Sequence, residues 1–405
     1  MKNIFIIALT FFQLSMAQNY PKKLFNLYDA VKDTSFTTIR FKQSHLVERI
    51  NFYENKLKGI MKLEKVGYSG EGREINLIHI GNGKTKVFLW SQMHGDEPTA
   101  TMALMDILSY FASNQNQKEV KTILQKTTLL ILPMINPDGA ERFQRRSVHG
   151  IDINRDALAL QTSEANILKN VRDKYNPKFG FNLHDQDPWN TAGQNGDVST
   201  IALLTPAYNF EKSTNAVRKR AKHVAAEIVD ILNSFIKGKI ARYNDDFEPR
   251  AFGDNIQKWG TSTVLIESGG YPNDPNKMFI RKLNFVAILA SINSIATEKY
   301  TETQISKYES LPENKNLLYD IIIKNITQTF SNSTIKSVKV DIGINITQTE
   351  NSEKVVVQKA TIENKGDLRT YKTFRVIDAK GKKVDNSKLK LNSEINLEEF
   401  LKQFN

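Results

Sequence analysis

The 405-residue chain contains no cysteine. Disulfides, thiolate metal sites, thiol nucleophiles and a lipid-anchored cysteine are therefore excluded. Any metal must be held by histidine, aspartate or glutamate, and the chain has only six histidines. A chain of this length can still bury enough apolar surface to fold without covalent cross-links, as one large and one small domain.

Dense basic tracts are also missing, although the formal net charge is +12. The lysines are scattered along the chain. The run VRKRAKH at 217–223 has the spacing of a solvated helix face rather than of a nucleic-acid patch. The sequence therefore predicts no nucleic-acid partner.

A short apolar run stands out at the N-terminus. One lysine precedes a largely apolar stretch, 4–14, which is followed by the small-x-small sequence Ser15-Met16-Ala17. This pattern predicts a signal peptide over 1–17, because the run is too short to span a bilayer comfortably. We expect an exported protein, periplasmic or secreted, with no stable membrane span after cleavage.

The middle of the chain alternates strand and helix patterns. A helical N-terminal cap is expected over 18–58, and the alternation runs from 59 to 300. Continuous apolar runs of strand length, such as TKVFLWSQ at 85–92, precede helical periodicity. We therefore predict a three-layer α/β/α domain whose sheet is mostly parallel or mixed. Functional sites in such sheets collect where strands end.

The pattern changes after residue 300. Residues 301–330 are interpreted as a linker or packing segment, and 331–405 as a small β-rich domain closed by a short helix. Strict apolar alternation in STIKSVKVDIGINITQT at 333–349 indicates a half-buried strand. The C-terminal domain contains no histidine, so structural support is preferred over surface binding and no catalysis is assigned to it.

Polar side chains follow three of the buried runs in the middle region. His94 and Glu97 come after 85–92, His184 ends FGFNLH, and Glu267 ends TSTVLIE. Zinc suits two imidazoles and one carboxylate, with a fourth position for water. The histidines and Glu97 meet this requirement for one zinc ion per chain. Glu267 fits the further carboxylate that moves the water's proton.

Two other residues have the chemistry that such a site needs. A tetrahedral oxyanion requires a fixed cation, and an arginine such as Arg145 would serve. Asp152 would hold a ligand histidine in the correct tautomer. Each residue alone is also compatible with a turn or a solvated surface. The case therefore depends on the whole set.

As a set, these residues resemble the zinc carboxypeptidases of the carboxypeptidase A type, across roughly residues 60–300. The shared pattern consists of HxxE at 94–97, NPDG at 136–139, DxNR at 152–155, a strand-terminal histidine at 184 and a strand-terminal glutamate at 267. The resemblance implies that His94, Glu97 and His184 bind zinc, and that Glu267 is the general base and acid.

The resemblance also implies roles in substrate binding. Arg145 would polarise the scissile carbonyl, and Asn154 and Arg155 would hold the substrate's terminal carboxylate. Asp152 would accept a hydrogen bond from a zinc histidine. Tyr243 is the nearest candidate for the family's flexible substrate-capping tyrosine. The expected partner is a peptide or a peptide-like substrate, including cell-wall peptide stems.

Two other functions fit parts of the same pattern. Deacylases of the succinylglutamate desuccinylase and aspartoacylase type share it, but they are typically cytosolic, whereas a signal peptide is expected here. A catalytically silent binding protein would keep the fold. Such proteins usually lose a metal ligand or the glutamate base, and all four positions are filled in this chain.

Overall fold

The structure is a computed structural model that describes residues 20–194, 196–331, 333–350 and 356–404. The expected signal peptide, 1–17, lies outside the described residues. The helices in these ranges are α1 (Tyr20–Val31), α2 (Gln43–Lys56), α3 (Thr99–Ser113), α4 (Lys118–Lys126), α5 (Pro137–Arg142), α6 (Ser163–Tyr175), α7 (Ala216–Ile236), α8 (Phe252–Lys258), α9 (Met278–Ala296), α10 (Ser306–Glu309) and α11 (Leu397–Lys402).

The strands are numbered in the same way along the chain. They are β1 (Met61–Tyr68), β2 (Glu74–Ile80), β3 (Thr85–Ser91), β4 (Thr127–Leu132), β5 (Phe179–Asp185), β6 (Asn190–Ala192), β7 (Ile201–Leu204), β8 (Ile240–Arg242), β9 (Ser262–Ser268), β10 (Asn314–Asn316), β11 (Leu318–Thr329), β12 (Ser337–Glu350), β13 (Val356–Gly366), β14 (Lys372–Asp378), β15 (Lys383–Asp385) and β16 (Ser393–Ile395).

The described residues form two compact units, of which the first contains the residues up to Pro188 together with Ser199–Asn314. Its eight-stranded sheet has the order β1-β2-β4-β3-β5-β9-β7-β8. The central pairs β4–β3, β3–β5 and β5–β9 are parallel, whereas β1–β2, β2–β4 and β7–β9 are antiparallel. The prediction of a mostly parallel or mixed sheet is therefore confirmed.

Helices cover both faces of this sheet because its central strands are apolar on both sides. In β3, Val87 and Leu89 enter one buried cluster, and Phe88 and Trp90 enter the other. The first cluster includes side chains of α1, α2, α3, α7 and α9, and the second includes side chains of α6 and α8. The three-layer α/β/α architecture expected from the sequence follows from this alternation.

A buried, ion-paired arginine holds the N-terminal helical cap, which belongs to the first unit. Arg281 of α9 donates to both carboxylate oxygens of Asp106 of α3, at 2.7 and 2.6 Å. The same guanidinium donates to the backbone carbonyls of Asp33 and Phe36, each at 2.7 Å. The segment between α1 and α2 thus satisfies a charge that would otherwise be costly to bury.

Helix α9 bears on the expectation that no stable membrane span remains after cleavage. It is long and apolar enough to cross a membrane, by length and composition alone. Inside the unit, 78% of its most apolar window is buried. The apolar residues on every side of α9 pack against neighbouring elements. Hydropathy alone does not distinguish a helix buried in this way from a helix that contacts lipid.

The second unit contains Trp189–Val198 and the residues from Lys315 onward. Its sheet has the order β14-β11-β12-β13-β16, with β15 also paired to β11. Buried isoleucines of β11, β12 and β13 form its core. The β-rich character expected for the C-terminal region is thus observed.

The bounds of this second unit differ from those expected. Strand β11 begins at Leu318, inside the 301–330 segment that was interpreted as a linker. Trp189, placed by the sequence in the middle region, donates from Nε1 to Asp320 at 2.9 Å, and its carbonyl accepts from the Leu318 N–H at 3.1 Å. These bonds join segments over 120 residues apart, so local sequence patterns do not reveal them.

Candidate active site

Parallel strands place the candidate residues at one edge of the first unit's sheet. β3 lies between β4 and β5 in the sheet. The connection from β3 to β4 and the connection from β4 to β5 therefore run to opposite sides of β3. In α/β sheets, binding crevices form at such a reversal of strand order. His184 and Glu267, which lie at the carboxyl ends of β5 and β9, are directly paired in the parallel register. Their side chains therefore project from the same face of the sheet.

The loop after β3 brings His94 and Glu97 to this edge. Gln92 has a positive φ of 51°, and the Glu97 N–H donates to the His94 carbonyl at 3.2 Å, which closes a turn. Gly95 sits against α5, since a Cβ there would lie 2.1 Å from the carbonyl carbon of Gly139. The glycines of the HGDE and NPDG motifs thus allow a backbone contact that larger residues would prevent.

The three proposed ligands meet in a buried group. Glu97 Oε1 lies 2.7 Å from His94 Nδ1, and Glu97 Oε2 lies 2.7 Å from His184 Nδ1. The imidazole rings are 4.9 Å apart between centroids. One ligand atom from each residue lies within 4.8 Å of the others, and all three residues are buried.

This donor set fits a zinc ion. Two imidazole nitrogens and a carboxylate converge, and the described part of the chain has no cysteine that would favour a thiolate site. His184 Nε2 is buried without a hydrogen-bond partner among the described residues. We therefore conclude that His94, Glu97 and His184 are positioned to bind a metal ion.

Asp152 lies on the outer side of His94, and Arg145 reaches from Asp152 to the ligand group, with NH1 3.1 Å from His94 Nδ1. Asp152 Oδ1 lies 3.1 Å from His94 Nε2, the ring nitrogen that faces away from Glu97. Arg145 donates to Asp152 Oδ2 from Nε and NH2 at 3.1 and 3.0 Å, and from NH1 to Glu97 Oε1 at 3.2 Å. The Arg145 side chain remains 45% exposed, so its guanidinium lies between the ligand group and solvent.

The charges of the group perturb one another strongly. Burial raises the pKa of Glu97, but the imidazoles of His94 and His184 outweigh it and hold this pKa well below its usual range. For His94, burial alone would lower the pKa. The carboxylates of Glu97 and Asp152 have the larger effect and raise the pKa of His94 to about 9. For His184, burial dominates and lowers the pKa. Glu97 is therefore ionised.

Glu267 is the buried carboxyl group beside this trio. Glu267 is 7% exposed, and its Oε2 has no hydrogen-bond partner among the described residues. Burial raises its pKa well above the usual value, and the negative charge of Glu97 raises it further. A buried carboxyl group with a raised pKa is suited to accept a proton and release it again.

Tyr243 belongs to the same surroundings. The charge of Glu267 is the largest cause that raises the pKa of the Tyr243 hydroxyl, followed by burial and by the charge of Glu97. Its backbone N–H donates to Leu203 O of β7 at 2.9 Å. The structure therefore brings Tyr243 near the predicted base, while its capping role stays a prediction.

Asn154 and Arg155 form a turn on the other side of Asp152. Asn154 Oδ1 accepts a hydrogen bond from the Phe252 N–H at 2.9 Å. This orients the side-chain amide so that Nδ2 is the group that can donate to a substrate carboxylate. Arg155 donates from NH1 to its neighbour's carbonyl at 2.7 Å and lies 3.6 Å from Glu248. Its side chain is 40% exposed, so its guanidinium is accessible to a substrate.

Three residues near the site escaped the sequence analysis. Asp185 follows His184 and accepts hydrogen bonds from Thr99 and Lys277. In the sequence, the only signal is a carboxylate directly after a strand-terminal histidine. Lys277 has no motif around it.

Comparison with known proteins shows which family the chain resembles. Residues 47–229 match the family model of zinc carboxypeptidases. Carboxypeptidase 2 of Trichophyton rubrum is 33% identical over 163 residues, which are 37% of this chain and 30% of that protein. The human carboxypeptidase N catalytic chain is 24% identical over 214 residues, covering 47% of this chain and 44% of that one.

Solved structures show the fold. A metallo-carboxypeptidase from Burkholderia cenocepacia superposes with a TM-score of 0.52 at 14% identity, covering 64% of this chain and 70% of that one. Bovine thrombin-activatable fibrinolysis inhibitor, in complex with a tick carboxypeptidase inhibitor, gives 0.52 at 14% identity and covers 64% and 98%. The alignments span only about a quarter to a third of the length of the fungal relatives. Residues 47–229 are thus similar to the zinc carboxypeptidase family, and the fold is that of metallo-carboxypeptidases.

Proposed function

We propose that the protein is a zinc metallocarboxypeptidase that hydrolyses the C-terminal amide bond of peptides or of cell-wall peptide stems. The observation that carries this proposal is the buried His94–Glu97–His184 group with the unpartnered carboxyl oxygen of Glu267 beside it. A bound zinc ion would supply a Lewis acid and lower the pKa of a water molecule.

The chain's own residues supply the rest of the chemistry. Glu267 accepts the proton of the attacking water and returns it to the leaving amine, as its raised pKa allows. Arg145, fixed by two hydrogen bonds to Asp152, presents a cation for the oxyanion. Asp152 holds the outer nitrogen of His94, which fixes the ring's orientation.

Recognition of a free C-terminus would make the enzyme an exopeptidase. The amide of Asn154 and the guanidinium of Arg155 present donors on the same turn as Asp152. An arginine can bind a carboxylate through two parallel hydrogen bonds. Tyr243, which lies near Glu267, would close over the bound substrate.

Arg155→Met tests this recognition. We expect kcat/KM for a peptide with a free C-terminal carboxylate to fall by roughly 10- to 150-fold, because a charge-assisted hydrogen bond contributes about 1.5–3 kcal/mol. The same peptide with a C-terminal carboxamide should be a poor substrate for both proteins and nearly insensitive to the change. Steady-state amino-acid release on the two peptides measures the effect.

The matched control is Arg146→Met, since Arg146 is an exposed neighbour that donates to the Gly150 carbonyl. An equal loss on both peptides, or none on either, would contradict the assignment of Arg155. An N-acyl amino acid is the third substrate. Its hydrolysis without peptide cleavage would indicate a deacylase, and zinc binding without any turnover would indicate a silent binding protein.

We also propose that the protein is exported. The support is the N-terminal pattern of one lysine, the largely apolar stretch 4–14 and the small-x-small sequence at 15–17. The test is the mass and N-terminal sequence of the protein recovered from periplasm or medium, expected to begin near Gln18. Recovery only from the cytosol, with residues 1–17 retained, would contradict export.

A further inference from the structure

Asp185 is the centre of a buried polar cluster next to the ligand group. It directly follows His184, and its side chain is only 7% exposed. Asp185 Oδ2 accepts from Thr99 Oγ1 at 2.6 Å and from Lys277 Nζ at 3.2 Å. Asp185 Oδ1 is buried without a hydrogen-bond partner among the described residues. Lys277 is therefore the cation that compensates this carboxylate.

The cluster links the three chain segments that carry the candidate site. Thr99 lies two residues after Glu97, and the Asp185 N–H donates to Glu97 Oε2 at 3.2 Å. Lys277 Nζ also donates to the carbonyl of Ser268, the residue after Glu267, at 3.0 Å. A single ammonium group thus contacts the strand ends of both His184 and Glu267.

The backbone at Lys277 is itself fixed. Lys277 has a φ of 54° and directly precedes α9. Asp274 accepts hydrogen bonds from the N–H groups of Met278, Phe279 and Ile280, at 2.7, 3.0 and 3.2 Å. This cap ties the loop after β9 to the start of α9, so the lysine enters the cluster from a preorganised position.

We propose that Lys277 is a positioning residue that, through Asp185 and the Ser268 carbonyl, holds Glu97 and His184 in the arrangement that binds zinc and holds Glu267 beside them. Without the ammonium group, Asp185 would be a buried and uncompensated carboxylate close to two others. Burying such a charge is costly, and the strand ends would separate or take up water. The consequence for catalysis rests on the proposed function, whereas the consequence for metal binding does not.

Lys277→Met tests the proposal through zinc affinity, measured by competition with a chelator at fixed pH. We expect the zinc Kd to rise about 10- to 100-fold, the range typical of residues that support metal ligands from outside. Lys277→Arg, which keeps the charge and the donors, should recover most of this affinity. The variant Lys282→Met is the matched control, because Lys282 lies five residues further on in α9, is equally 15% exposed and pairs with Asp29.

Thr99→Val gives a second test that removes one hydroxyl group and decides the question if Lys277→Met does not fold. Thr99→Val should also weaken zinc binding, and the double variant should lose less than the sum of the two losses, because both residues act on Asp185. Peptide assays at saturating zinc should show a lower kcat with a nearly unchanged KM.

Two results would overturn the proposal. One is folded Lys277→Met protein with the zinc Kd of the wild type. The other is an equal loss in Lys282→Met, which would indicate a general effect on α9. If the wild type binds zinc but cleaves no peptide, the proposed function fails, while the comparison of zinc affinities still decides the role of Lys277.

Discussion

Glu267→Gln is expected to lower kcat by about 10²- to 10⁴-fold at saturating zinc while the zinc content stays that of the wild type. The glutamine keeps the size of the side chain but cannot accept the water's proton. Glu267 is not among the three residues positioned to bind the metal, so the metal should remain. Initial rates of C-terminal amino-acid release, with metal analysis of the same samples, measure both effects.

Stability separates this catalytic role from a structural one. Consider a carboxyl group whose pKa is higher in the folded than in the unfolded protein. Once the pH rises above the pKa of the unfolded state, the group ionises more readily in the unfolded protein. The free energy of unfolding therefore falls. Glu267 has such a raised pKa, caused first by burial and then by the charge of Glu97. In metal-free protein at neutral pH, Glu267→Gln should therefore unfold at a higher denaturant concentration than the wild type.

The matched control is Glu164→Gln. Glu164 is a carboxylate of the same unit, 1% exposed, that accepts from the Gly70 N–H at 3.0 Å through an oxygen that glutamine retains. We expect near-normal kcat for this variant. More than a tenth of the wild-type kcat in Glu267→Gln would rule out Glu267 as the general base.

Strand ends explain why much of the site was predictable from the sequence. Buried strands are continuous apolar runs, so a polar residue that ends such a run is conspicuous, as His184 and Glu267 are. Parallel pairing then brings the ends of different strands to one edge of the sheet. His94 and Glu97 add a glycine-containing turn directly after β3.

Contacts between distant segments explain what the sequence did not reveal. Asp185 meets Thr99 and Lys277 across 86 and 92 residues, and none of the three belongs to a recognised motif. The segment 189–198 joins the second unit through partners more than 120 residues away. Local periodicity reports which face of an element is buried, but not which distant side chain satisfies a buried charge.

His184→Ala should abolish stoichiometric zinc binding. It removes one of three ligand atoms that lie within 4.8 Å of one another, and neither Asp152 nor Glu267 stands in for its Nδ1 beside Glu97. We expect the zinc Kd to rise by more than about 100-fold, beyond the range for residues outside the ligand shell. Metal content and peptide hydrolysis, measured on wild type and variant side by side, test this.

His223→Ala is the control for loss of a half-buried imidazole. His223 lies in α7, and its Nδ1 is 2.9 Å from the Thr303 carbonyl, away from the candidate ligands. This variant should keep both zinc and activity. Zinc that persists at full stoichiometry in His184→Ala would mean that His94 and Glu97 hold it without this ring. The site would then be a different metal centre from the one that the ends of β3 and β5 build.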